Sequence, residues 1–236
     1  MKAASGSPSA ASFLFRGQAV HALFLIILLP IAWALAAPAL GDGRWLRLAD
    51  TTWFWIAVGV PVVHQLYVWI AWRAQLQWET FTGLFGRADF AVYGVVFYVL
   101  LALRPVVIAA VSAADTGSLA LSRGVASGLA ILVLLPSLYT ALSVQRYFGL
   151  ARAAGGDHFR RRYREMPLVV RGAFAWTPNA MYTFGFLGLW TIALFARSHA
   201  GLVAALFQHA YIWVHYVCTE QPDMARLYGE PATPRG

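Results

Sequence analysis

The chain has 236 residues, of which 60% are hydrophobic and only 12% charged, and its mean hydropathy is +0.61. A soluble domain carries about twice that charged fraction, and here the apolar residues fall in blocks instead of the alternation that builds a water-facing surface; the composition is that of an integral membrane protein. The net charge of +8 does not indicate nucleic acid either, because 17 of the 18 basic residues are Arg and seven of them crowd between Arg146 and Arg171, which is a topology signal and not a basic stripe on a soluble face.

In chain order, residues 1–18 (MKAASGSPSAASFLFRGQ) are small and polar and read as a flexible tail. The first apolar run, residues 19–40, is 22 residues long, enough for a hydrocarbon core of ~30 Å. It exceeds the roughly 7–15 residues of a signal-peptide core, so it reads as a retained anchor. The second run, residues 52–72, has Trp and Tyr at both ends, as an interfacial belt requires. The third, residues 90–111, is interrupted by Arg104-Pro105, and the fourth covers residues 125–144. After the arginine-rich segment come residues 181–196 and 200–218, separated by Arg197, Ser198 and His199, which predicts a tight helical hairpin. The expected fold is an all-α polytopic bundle of about six hydrophobic helices. It divides into a tail (1–18), a four-helix membrane region (19–145) and a C-terminal catalytic region (146–236).

The arginine-rich segment sets the orientation. Placed in the cytoplasm, it brings both chain termini to the same side, since four crossings precede it and two follow. The Arg- and Ala-rich composition suggests a bacterial inner membrane. The single cysteine, Cys218, excludes an intramolecular disulfide framework and reads as a small buried filler.

The chemistry-bearing residues gather late in the chain. Glu220 ends an apolar run, where an unpaired carboxylate is costly and tends to be functional. At helical spacing His209, Trp213, Tyr216 and Glu220 share one face. Asp223 beyond them reads by itself as a solvated carboxylate paired with Arg226. His64, His209 and His215 lie in apolar runs without the spacing of a metal or haem site, and helix–helix hydrogen bonds are the ordinary role for the first two. Arg160 to Arg162 read as topogenic, whereas an arginine fork also suits a lipid phosphate. Arg171 adjoins Gly172, where backbone can approach a ligand closely, and both lead into WTPNAMYTFG, residues 176–185.

RGAFAWTPNAMYTFGF, a hairpin turning at ARSHAGL, and TEQPDMARLYG together resemble the C-terminal half of the phosphatidylethanolamine N-methyltransferases. These belong to a wider membrane methyltransferase group that includes the isoprenylcysteine carboxyl methyltransferases. That group opens its penultimate helix with Arg-(Asn or His)-Pro-Met-Tyr and closes the last with Glu-Glu-Pro and a Tyr-Gly or Phe-Gly pair. Asn179, Met181 and Tyr182 match the first element, with Gly185 as its following glycine; Glu220, Pro222 and Tyr228-Gly229 match the second. Pro178, Ala180 and Thr219 depart from it. The resemblance covers residues 166–230.

What the resemblance implies is an S-adenosylmethionine pocket formed by Arg171, Gly172, Asn179, Met181, Tyr182, Gly185, Glu220, Asp223 and Tyr228. Asn179 either caps the helix or bonds the cofactor. The implied acceptor is a membrane phospholipid, phosphatidylethanolamine or its partly methylated products, with Arg164 or Arg171 on the phosphate. Methyl transfer to an amine needs in-line positioning and no metal, but an ammonium must first lose a proton. Glu220 is the candidate base or the partner of the cofactor's amino group, and His215 is the alternative base. The same fold acting on a carboxylate or small thiol, and a non-catalytic membrane scaffold, are the competing readings.

Overall fold

The structure, a computed structural model, describes residues 10–229. Among these, five helical stretches are long and apolar enough to cross a bilayer: Ser12–Ala39, Asp50–Trp78, Thr80–Ala114, Arg123–Phe148 and His199–Tyr228. A shorter apolar stretch, Met181–Ala196, makes six, in line with the hydropathy runs.

The elements begin with α1 (Ala10–Leu14) and α2 (Gln18–Ala36). A small hairpin, β1 (Arg44–Trp45) and β2 (Leu48–Ala49), follows and leads into α3 (Asp50–Trp78). After α4 (Thr80–Phe85) comes α5 (Asp89–Ala114), and then α6 (Arg123–Ser143). The connecting segment holds three single turns, α7 (Leu150–Ala153), α8 (Gly156–Phe159) and α9 (Arg161–Arg164). The C-terminal part comprises α10 (Leu187–Ala196), α11 (His199–His215) and α12 (Gln221–Tyr228).

Arg104-Pro105 does not interrupt its helix, because α5 runs through it. Each of α2, α3, α5 and α6 carries one internal proline, at positions 30, 61, 105 and 136. In a bilayer no water competes for the backbone, so a helix persists through a proline that would break it in solution. Residues 1–9 of the expected tail lie outside the described residues, but residues 10–17 are ordered. Phe13 is buried, and the Arg73 guanidinium binds the carbonyls of Phe13, Leu14 and Arg16 at 3.2, 2.9 and 2.6 Å.

The main core lies between α2, α3, α5, α10 and α11, with Ala36, Ala57, Ala200, Ala204 and Ala205 among its buried residues. Small side chains let membrane helices approach closely. The α10–α11 hairpin forms as its sequence predicts: Arg197 turns in the left-handed region at φ 52°, and Ser198 caps α11 by accepting from Gly201 N at 2.8 Å. Asp115 holds that turn from α5's end, accepting from Ser198 Oγ at 2.7 Å and Ala200 N at 2.8 Å. The result brings the C-terminal ends of α6 and α11, the start of α10 and the connecting segment to one side of the bundle.

Candidate active site

Two of the spanning stretches and the shorter apolar one widen into π turns where they meet: Val144–Phe148 after α6, Tyr216–Glu220 after α11 and Met181–Gly185 before α10. A π turn adds a residue to the helical turn, re-aims the side chains and is frequent at functional sites. Here the three turns supply Phe148, Met181, Tyr182, Tyr216 and Glu220 to the lining of one cleft, whose volume is about 960 Å³. Trp72 of α3 lines it from the membrane region, and Arg152, Gly155 and Asp157 from the connecting segment. Met224 and Tyr228 of α12, with Gly229 after it, line the remaining side.

The Tyr182 hydroxyl donates to a Glu220 carboxylate oxygen across the cleft, joining the two motif elements through residues 38 apart in sequence. The Tyr182 ring also meets Trp213 and Tyr216, with centroids at 6.0 and 5.8 Å. Trp213, Tyr216 and Glu220 of the stripe read at helical spacing thus gather around Tyr182, and the His209 ring, one turn earlier, stacks on Phe186 at 5.7 Å.

A chain of buried charge supports the opposite wall. Asp157 Oδ2 accepts from the Tyr228 hydroxyl at 3.0 Å, and its Oδ1 lies 3.0 Å from His158 Nδ1. His158 Nε2 faces Asp223 Oδ2 at 3.6 Å, and Asp223 Oδ1 accepts from Arg73 Nε at 2.9 Å. The Trp72 indole stacks on the His158 ring at 4.0 Å. Burial alone disfavours a charged imidazole, yet Asp157 and Asp223 outweigh it and His158 is pushed above its ordinary value of 6.5. Burial likewise opposes the Asp157 carboxylate, but the bonds from His158 and Tyr228 hold it below 3.8.

Asn179, Met181, Tyr182, Glu220 and Tyr228 of the sequence candidates line the cleft. The others do not. Asp223 is neither solvated nor paired with Arg226; it is buried against Arg73, and Arg226 bonds Gln77 at 2.9 Å. His215 is buried behind the wall, its ring 5.7 Å from that of Trp72. Gly172 does make a close backbone approach, but to α6: at φ 63° an added Cβ would lie 2.4 Å from Ser143 Oγ. Arg171 is exposed beside it, and the Gly185 carbonyl accepts from Ser137 at 3.0 Å. Arg164 bonds the carbonyl of Asp157 at 2.6 Å and so braces the connecting segment. Arg160 does the same toward α5, bonding Asp89 Oδ2 at 2.8 Å, and that bond pushes its pKa further up.

Sequence reasoning missed Trp72, Arg152 and Asp157. Arg152 is mostly buried, donates to the Pro167 carbonyl at 2.9 Å and lies over the Phe148 ring at 5.0 Å. The Gly155-Gly156 pair carries the signal that was available. At φ 77° a Cβ on Gly155 would lie 2.3 Å from the Trp72 ring, so only glycine lets the connecting segment close on α3. The finished cleft offers two carboxylates, one guanidinium and several aromatic faces, a donor set suited to a small molecule carrying cationic groups and one anionic end.

Residues 125–231 match the family described as phospholipid methyltransferase, a span that starts at the fourth membrane helix and is wider than the motif resemblance. Relatives named phosphatidylethanolamine N-methyltransferase include that of Scheffersomyces stipitis, 37% identical over 76 residues covering 31% of this chain and 9% of the relative. That of Meyerozyma guilliermondii is 38% identical over 76 residues, 31% of this chain and 8% of the relative. That of Clavispora lusitaniae is 34% identical over 76 residues, 32% and 9%. The matched segment thus spans less than a tenth of those relatives' length. No solved structure matches the chain.

Proposed function

We propose that this chain, whose residues 125–231 match the phospholipid methyltransferase family, is an integral membrane enzyme that transfers methyl groups from S-adenosylmethionine to the amine of phosphatidylethanolamine or its partly methylated products. The observation that carries the reading is the cleft itself: the two motif elements meet there through the bond from Tyr182 to Glu220. The names of the relatives support the acceptor. Orientation by arginine count supports a cytoplasmic cleft and cytoplasmic termini, in a bacterial inner membrane.

The residues present fit the donor. Glu220 and Asp157 would face its cationic amino group and hydroxyls, Arg152 its carboxylate, and the faces of Trp72, Tyr182 and Tyr216 its sulfonium. When bound, S-adenosylmethionine would supply a sulfonium methyl carbon for the amine to attack, the carbon–sulfur bond breaking and S-adenosylhomocysteine leaving as the neutral thioether. The cleft walls orient the acceptor amine for in-line attack, an effect worth up to ~7–11 kcal/mol, and exclude water around the charge being neutralised. The acceptor's ammonium must shed a proton before it has a lone pair. Glu220, oriented by the Tyr182 hydroxyl, either takes that proton or pairs with the donor's amino group, and His215 is set aside because it does not line the cleft. Arg171, exposed at the segment's edge, is assigned the lipid phosphate in preference to Arg164, which the backbone already occupies.

The test supplies labelled S-adenosylmethionine and one lipid at a time to purified protein in vesicles. Label in mono-, di- or trimethylated phosphatidylethanolamine is the expected result. Label released by mild base as a methyl ester would move the acceptor to a carboxylate, and no transfer with no donor binding would leave a scaffold.

A further inference from the structure

Residues 166–170, MPLVV, lie in the arginine-rich segment and outside every spanning stretch, yet they expose apolar side chains. Leu168 is 85% exposed, Val170 71% and Met166 43%. Val169 between them points inward and packs on the cluster formed by Val144, Phe174 and Ala180. The stretch therefore presents an outward apolar edge, Met166 to Leu168 and Val170, over the half-buried anchor Val169. An exposed apolar edge of this kind marks an interaction surface.

Its surroundings identify the partner as the bilayer. At one end the Pro167 carbonyl is held by Arg152 of the cleft, and Leu168 lines the cleft mouth. At the other end Ala173 N donates to Ser143 Oγ at 3.0 Å. Ser143 lies five residues before Phe148, the end of its spanning stretch, which is roughly 7–8 Å along the helix. The segment thus runs at the depth of the headgroup boundary. Trp176, 61% exposed with its ring tilted against that of Tyr139 at 5.0 Å, and Tyr147 are the aromatic side chains such a boundary favours. Arg171 follows directly, exposed and free of any ion pair among the described residues.

We infer that residues 166–170 form a lip seated in the headgroup layer, over which a phospholipid headgroup passes from the bilayer into the cleft, with Arg171 meeting its phosphate. The passage of a substrate lipid rests on the function proposed above; the seating of the lip does not. Met166, Leu168 and Val170 lie in the acyl-headgroup boundary, and a charge placed on this edge hinders lipid entry without touching the donor wall.

The experiment attaches an environment-sensitive nitrobenzoxadiazole probe to the full chain in phosphatidylcholine vesicles through Met166→Cys or Val170→Cys. Cys218 is buried, and the unsubstituted chain controls for its labelling. Spin-labelled lipid should quench both positions, and aqueous iodide should not; iodide quenching at both would overturn the lip. In turnover, Val170→Asp should raise the lipid KM roughly five- to tenfold and leave donor affinity unchanged. An equal loss of donor affinity would make the segment part of the donor wall and refute its role in lipid entry. Lipid quenching in a chain that methylates no lipid would overturn the functional reading while the seating stood.

Discussion

Asp223→Asn tests whether the buried charge chain holds the cleft together. Both Asp223 and Arg73 side chains are fully buried. Asp223 accepts from Arg73 Nε at 2.9 Å and faces His158 at 3.6 Å. The amide keeps the shape and one acceptor oxygen but removes the charge. Beside that oxygen, Arg73 is then left with only uncharged partners, the carbonyls of residues 13, 14, 16, 218 and 219. Removing one member of a buried pair costs about 3–5 kcal/mol, and the retained acceptor puts Asn at the lower end of that range. The assay is reversible unfolding in mixed micelles of the single variants, Arg73→Met and the double variant. Because both single changes break the same pair, the double variant should lose less than their sum. A cost below about 1 kcal/mol for Asp223→Asn, or strict additivity, would refute the argument.

His158 gives a pH signature. Its folded pKa lies above the unfolded 6.5, so its contribution is complete below that pH and is lost as pH rises through the folded value. Asp157, depressed below 3.8, contributes above that pH and loses its part as pH falls through its folded value. His158→Gln should remove the alkaline loss and also shrink the acid one, because His158 is the main group holding Asp157 down, read by melting temperature against pH. Gly155→Ala places a methyl group 2.3 Å from the Trp72 ring at φ 77° and should cost about 1–3 kcal/mol, measured by the same denaturation. Arg152→Met should weaken S-adenosylmethionine binding roughly tenfold by removing the carboxylate's partner, read by calorimetry.

The bundle was legible in the sequence because hydrocarbon thickness dictates run length, and residues 125–144 or 200–218 needed no partner to declare themselves. Tyr182 and Glu220 were legible because both motif elements are local. The rest depends on pairings between distant residues. Arg73 and Asp223 are 150 residues apart, and nothing in either's neighbours announces the other. An acid next to Arg226 reads as its partner until the fold turns it inward. The π turns were also hidden, since a single added residue per turn leaves hydrophobic periodicity nearly unchanged over five residues. Gly172 was read for the right physical property and the wrong neighbour, because close approach alone does not name what is approached.

The proposal that the cleft between Tyr182 and Glu220 holds the methyl donor stands or falls on one property, donor binding. Its most direct measurement is calorimetric titration of S-adenosylmethionine into the purified protein in lipid nanodiscs, wild type beside Glu220→Ala. Saturable binding by the wild type is expected, weakened at least about thirtyfold in the variant while its unfolding transition is kept. Equal affinity in the two proteins, or no binding by a folded wild type, would contradict it.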